Sequence, residues 1–273
     1  MPIARRALAA LCLSLVAAMT ASAGDVTEPP AYEKFLVIPL RFHILTSKDL
    51  PMADCTLTDA DATRAVAEIN RIWEKAGIRF GLDAIVREPA AQVGRFQEVV
   101  KVTGGQFADA DPFAILLPMG TRAFDGLNVT LFRELPMNGT YIAAADAPIA
   151  QQDPQLRPVA GGSEVPVGRV AARGLGQALG LEARQADEVG LLSPGTNGVA
   201  LGEDEVARAR SFARAIPGTL DVPAANKAAE VAVARGDHAA ARRIYTWLSE
   251  IPGPGAAAAR KKLAALPSSG PKP

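Results

Sequence analysis

The stretch RVAARGLGQALGLEARQ, residues 169–185, is the part of the sequence on which the rest of the fold depends. Its apolar residues recur at helical spacing, which predicts an amphipathic helix. Pro166 suits the first turn of this helix, and Gly180 suits its end, because glycine readily adopts the left-handed backbone that often follows a helix. We therefore expect a helix over about residues 166–179. Its Ala, Gly and Leu residues would also suit any helix that packs closely against a sheet.

A strand, helix and strand precede this stretch. Residues 35–45 alternate between apolar and polar side chains, as a half-buried strand does. Thr58 and Asp61 resemble a capping box at the start of an amphipathic helix that Gly77 ends. Residues 78–84 alternate again. The order predicts two parallel strands joined by a right-handed crossover.

The middle of the chain supplies further strands. We expect a short helix over residues 91–100 and a central strand at the continuous apolar run 114–117. A strand at 127–132 and a short edge strand at 140–144 follow. Residues 145–164 are rich in proline and polar side chains, which predicts a loop. After the helix at 166–179 come a turn-rich stretch and a helix at about 203–215.

Two stretches of this pattern resemble a known family. RFHILTS (41–47) and residues 54–90 are similar to the first strand, first long helix and second strand of secreted bacterial metzincin-like (matrixin-related) zinc peptidases. LLSPGTNG (191–198) stands where that family has its Met-turn. The resemblance covers about residues 35–215. It implies an α/β (α+β) domain, with a metzincin-like mixed twisted sheet and two long helices.

The active-site motif of that family, HExxHxxGxxH, falls on residues 173–183. Its five positions are taken by Arg173, Gly174, Gln177, Gly180 and Ala183, and Leu191 or Leu192 stands at the methionine of the turn. A guanidinium repels a metal cation, and glycine has no side chain to act as a general base. We therefore expect no catalytic residues, no bound metal and no cofactor at these positions.

Other residues that often carry chemistry are scarce. The histidines are His43 and His238. His43 is expected on the polar face of its strand, solvated or hydrogen-bonded, and His238 at a helix start. Cys55 is expected to be buried and structural, because it is the sole cysteine left once a signal peptide is removed.

The N-terminus predicts export. Arg5 and Arg6 precede an apolar run and an AxA cleavage signal, which indicates a signal peptide at 1–23, followed by a loose leader at 24–34. The protein is then periplasmic or extracellular, without a transmembrane segment in the mature chain. Loss of the two arginines from 29 basic residues leaves 27 against 29 acidic ones, which does not favour nucleic acid or an anionic membrane.

The C-terminal part is predicted to be helical. With 273 residues, the chain is long enough for one main domain, placed at 35–218, and an extension at 219–266. Helices at 224–234, 238–250 and 255–266 resemble a single tetratricopeptide-type unit. One such unit cannot bury its own apolar face, so we expect it to dock on the main domain or on a partner. Residues 267–273 are expected to be disordered.

These observations favour an exported, non-catalytic homologue of a metallopeptidase that binds a peptide or protein. A hydrolase with a non-standard site or metal is one alternative, and a structural envelope-associated protein is another. The sequence does not favour one oligomeric state over another.

Overall fold

The structure is a computed structural model that describes residues 28–183 and 187–267. The predicted signal peptide, the start of the leader and nearly all of the C-terminal tail lie outside these residues. So do Arg184 and Gln185, at the end of the stretch 169–185. Among the described residues, none of the helices combines the length and hydropathy that a membrane crossing requires.

The helices are α1 (Asp59–Trp73), α2 (Val93–Thr103), α3 (Pro166–Ala178), α4 (Glu203–Ala213), α5 (Val222–Ala234), α6 (His238–Ser249) and α7 (Gly255–Ala265). The strands are β1 (Leu36–Thr46), β2 (Ile78–Pro89), β3 (Leu127–Phe132), β4 (Gly139–Ile142), β5 (Ala147–Gln151) and β6 (Leu220–Asp221). Most predicted elements are confirmed to within three residues at each end. The capping box of Thr58 and Asp61 is also present at the start of α1.

The described strands form one mixed sheet with the main order β2-β1-β3-β5-β4. Strand β1 pairs in parallel with β2 and β3, and β3 pairs in parallel with β5. The edge strand β4 runs antiparallel to β5, and the short β6 pairs antiparallel with the start of β1. This arrangement confirms the predicted α+β fold with a mixed sheet and a helical C-terminal part.

The main core lies between one face of the sheet and the pair of helices α1 and α3. Trp73, at the end of α1, is fully buried, and its indole N–H donates to the Ala172 carbonyl 3.3 Å away. Cys55 belongs to the same core, which confirms that it is buried, and burial raises the pKa of its thiol.

Two predictions for the middle of the chain are wrong. The run 114–117 is not a central strand, because Asp111–Leu116 forms a 3-10 helix with Pro112 in its first turn. Its buried side chains, Phe113 and Leu116, fill a second core beneath α2. Conversely, the predicted loop 145–164 contains the internal strand β5. Pro148 is tolerated there because the β3–β5 ladder begins only at Ile149.

The predicted leader is not loose over its described part. Tyr32 is buried, and its hydroxyl donates to the Leu248 carbonyl 3.2 Å away. Helices α5, α6 and α7 form a third core around Tyr32 and Val37. The C-terminal helices are therefore in contact with the sheet through β1, β2 and the N-terminal segment.

Candidate functional site

Small residues allow α3 to lie unusually close to its neighbours. A β-carbon placed at Gly174 would lie 2.9 Å from the Pro148 β-carbon of β5. A β-carbon at Gly168 would lie 2.9 Å from the Ala65 carbonyl oxygen of α1. Both distances are too short for real side chains. The Gly174 position, which corresponds to the general base of the motif, is therefore a packing contact between α3 and the sheet.

Arg173 takes the first ligand position of the motif and joins two parts of the fold. Its Nη1 donates to the carbonyl of Gly139, at the start of β4, at 3.3 Å. Its Nε donates to the carbonyl of Leu192 at 3.4 Å. Burial lowers the pKa of the Arg173 guanidinium. The side chain thus bridges the edge strand and the turn that the family resemblance identified.

Arg169, one helical turn before Arg173, is the most deeply buried charged residue of α3 and is 1% exposed. Its guanidinium donates to the carbonyls of Gly198 (3.0 Å), Ser193 (2.7 Å) and Gly190 (3.4 Å). Burial, and then the charge of Arg173, lower its pKa to about 10. Arg169 therefore fastens the segment 190–198 to the helix. Sequence analysis missed this role, although a charged residue on an apolar helical stripe was a signal for it.

The remaining motif positions do not form a ligand set. The Gln177 side-chain oxygen is buried and has no hydrogen-bond partner among the described residues. Gly180 has φ of +76° and ends the helix, as predicted. Ala183 is exposed and lines a surface cleft with Glu182, Asp204 and other residues, a set that does not include Arg173 or Gln177.

The turn at 191–198 lies against α3. Leu191 and Leu192 are fully buried in the main core. The Leu192 carbonyl faces Arg173, as described above, so the structure brings together the first motif position and the turn. It does not place Ala183 with them, because the cleft that Ala183 lines does not include Arg173 or Gln177.

These residues do not fit a catalytic zinc ion. The first position holds a hydrogen-bonded cation, the second is a packing glycine and the third offers only a neutral amide. Among the described residues, no cluster of three or more His, Cys, Asp or Glu side chains is arranged to hold a metal ion.

A second polar cluster lies on the opposite face of the sheet. His43 of β1 is 1% exposed, so the expectation that it is solvated is wrong, whereas the alternative that it is hydrogen-bonded is confirmed. Its Nδ1 lies 2.5 Å from Glu88 Oε1 and its Nε2 lies 3.1 Å from Asn128 Oδ1. The Thr121 hydroxyl donates to Glu88 Oε2 at 2.5 Å. The cluster joins β1, β2 and β3 to the loop before β3.

The contacts of Asn128 fix which ring nitrogen of His43 faces it as a donor. Its Oδ1 accepts from the Ala123 N–H at 2.8 Å, and its Nδ2 donates to the Ala123 carbonyl at 2.9 Å. Oδ1 therefore faces His43 as an acceptor, and His43 Nε2 must carry a proton. A single further proton then lies between His43 and Glu88. The pair is an imidazolium with a carboxylate, or a neutral imidazole with a carboxyl group.

We expect Glu88→Ala to lower the free energy of unfolding by about 2–4 kcal/mol, because it leaves the buried His43 Nδ1 without its partner and opens a cavity beside it. Glu88→Gln is the matched control and should cost less than about 1 kcal/mol. In that variant a neutral His43 accepts from the amide N–H while the amide oxygen accepts from Thr121. Urea denaturation measures both values, and equal losses in the two variants would contradict this account of the cluster.

The loop held by this cluster borders a cavity of about 460 Å³. Met119 and Phe124 on the loop are 58% and 85% exposed, and Phe212 of α4 is 49% exposed on the other side. Arg122 donates to the carbonyls of Ala145 and Asp146 at the floor of the loop. The cavity lining is therefore mixed: exposed apolar side chains lie beside the polar residues Arg122, Asn128 and Asp146.

Three comparisons with known proteins show what this chain is similar to. The chain matches no family model. It also matches no curated protein sequence. Among solved structures, 34 chains match.

Two of these structures illustrate the level of similarity. A chain described as part of a chaperone–substrate complex shares 14% identity at a TM-score of 0.37, covering 67% of this protein and 35% of that chain. This protein thus spans about a third of that chain. Archaemetzincin from Methanopyrus kandleri shares 13% identity at a TM-score of 0.30, covering 66% of this protein and 93% of that chain. The archaemetzincin is a weak structural neighbour.

Proposed function

We propose that this protein is an exported, non-catalytic homologue of metzincin-type peptidases that binds a peptide or protein. The observation that carries the proposal is the position of Arg173. The Arg173 guanidinium stands where the family has its first zinc ligand. It bridges the edge strand β4 and the turn at 191–198. The side chains of the old catalytic motif thus support packing and hydrogen bonding in place of metal chemistry.

The edge strand β4 supports the binding part of the proposal. Within the described chain, β4 pairs only with β5. It is therefore an edge strand whose outer side has no neighbouring strand. An extended peptide can add to such an edge as a further strand, with affinity from main-chain hydrogen bonds. Arg173 lies at the start of β4, so a peptide bound there would pass close to it.

Metal analysis and a cleavage assay test the catalytic part. We expect purified mature protein to contain far less than one zinc ion per chain, and to cleave neither casein nor a peptide library, with or without a chelator. Stoichiometric zinc together with cleavage that a chelator abolishes would overturn the proposal and identify a hydrolase with a non-standard site. N-terminal sequencing of exported protein is expected to begin at Gly24, after the predicted signal peptide.

A binding assay tests the other part. The mature protein is expected to retain a subset of peptides from an immobilised random library. Retention of no peptide, combined with recovery of one stable protein partner from the exported fraction, would favour the structural envelope-associated role.

A further inference from the structure

Helix α3 carries two positive charges without a matching negative one. Arg169 and Arg173 lie one turn apart, and the hydrogen bonds of both go to backbone carbonyls. No carboxylate among the described residues pairs with either guanidinium. Half-buried arginines usually have an anionic partner, because removing a charge from water is costly. This part of the fold therefore presents an uncompensated positive charge.

The two arginines differ in how many of their donors are used. Arg169 makes three hydrogen bonds and is sealed in the core. Arg173 makes two long ones, through Nε and Nη1, and remains partly exposed. A guanidinium has five N–H donors, and Nη2 of Arg173 has no partner among the described residues. Arg173 is thus the group that can receive an anion.

The geometry of a guanidinium matches that of a carboxylate, which it binds with two parallel hydrogen bonds. Resting on the proposed function, we propose that Arg173 receives a carboxylate of the bound peptide at the start of β4. The carboxylate belongs to the peptide C-terminus or to an Asp or Glu side chain.

Three fluorescent hexapeptide pools distinguish these sources: one with a free C-terminal carboxylate, one amidated, and one amidated with a single Asp. Each pool is titrated with the mature protein and followed by fluorescence anisotropy. We expect at least one carboxylate-bearing pool to bind about tenfold or more tightly than the plain amide pool. The preferred pool identifies the source of the carboxylate.

Two variants assign this preference to Arg173. Arg173→Gln should remove the difference between the pools, whereas Arg64→Gln, at a side chain that is 73% exposed on α1, should leave it unchanged. Thermal melting establishes that both variants are folded. If Arg173→Gln unfolds, the side-chain Nε–H signal of Arg173 in the wild-type NMR spectrum provides the readout. We expect it to shift with sodium acetate and not with acetamide.

The outcomes separate the two proposals. Equal binding of all pools, or a preference that survives Arg173→Gln, overturns the role of Arg173 while peptide binding stands. Binding of no pool overturns this inference together with the peptide-binding part of the proposed function. An Arg173 signal that acetate leaves unmoved also overturns the inference.

Discussion

Replacing Arg169 by methionine is expected to lower the free energy of unfolding by about 3 kcal/mol and to loosen the segment 190–198. Methionine fills a similar volume but donates no hydrogen bond. The carbonyls of Ser193 and Gly198 would lose the donor that now reaches them, whereas the Gly190 carbonyl would keep the Ser193 N–H. Each buried carbonyl without a partner costs about 1–3 kcal/mol. The substitution also removes a buried charge, which offsets part of this loss. Burial already lowers the pKa of the Arg169 guanidinium to about 10.

Urea denaturation measures the stability of the Arg169 variant, and limited proteolysis shows where the chain opens. Cleavage is expected within 190–198, because local opening lets water reach the orphaned carbonyls. Arg208→Met is the control, since Arg208 is 52% exposed and forms only a surface ion pair with Glu182. Its effect should be within about 0.5 kcal/mol. Equal effects of the two substitutions would show that Arg169 does not hold the segment.

The contact between Arg169 and this segment also bears on the proposed peptide binding. Leu192 lies within the fastened segment and offers its carbonyl to Arg173. Loosening the segment frees Arg173 from one of its two hydrogen bonds. Arg169 is therefore a positioning residue for the proposed carboxylate site, although it lies too deep to contact a ligand.

Local signals made much of the fold predictable. The proline at the start of α3, the glycine after its end and the capping box of α1 each depend on residues within a turn or two. The prediction of a strand at 114–117 was wrong because apolar side chains suit a strand and a buried 3-10 helix equally well. Strand β5 was not predicted, because a proline and polar neighbours indicated a loop where pairing with β3 stabilises a strand.

The polar sites were less predictable because their members are distant in sequence. His43 lies 45 residues from Glu88 and 85 from Asn128. Only the pairing of β1 with its two parallel neighbours brings these side chains together. The same holds for Arg173, whose bonded carbonyls belong to β4 and to the turn after α3. Apolar periodicity located the helix α3 correctly, but the contacts of Arg173 follow from tertiary structure.

Gly81→Val is expected to lower the free energy of unfolding by about 3–5 kcal/mol by displacing Trp247 from β2. A β-carbon at Gly81 would overlap the indole ring of Trp247. That ring is 7% exposed, and its N–H donates to the Leu82 carbonyl 3.0 Å away. The nearby ion pair between Arg243 and Asp83, at 3.0 Å, joins the same two elements. Displacing Trp247 therefore removes a buried contact between α6 and β2.

A double-mutant cycle with Trp247→Ala isolates this cause. If the overlap with the indole is responsible, Gly81→Val should cost less than about 1 kcal/mol in the Trp247→Ala background. Gly120→Val is the matched control, because open space surrounds Gly120, and its effect should be within about 0.5 kcal/mol. Tryptophan fluorescence gives a second readout, since the other tryptophan, Trp73, stays buried and a red shift would report Trp247. Additive losses without a red shift would mean that the C-terminal helices dock on the sheet independently of Trp247.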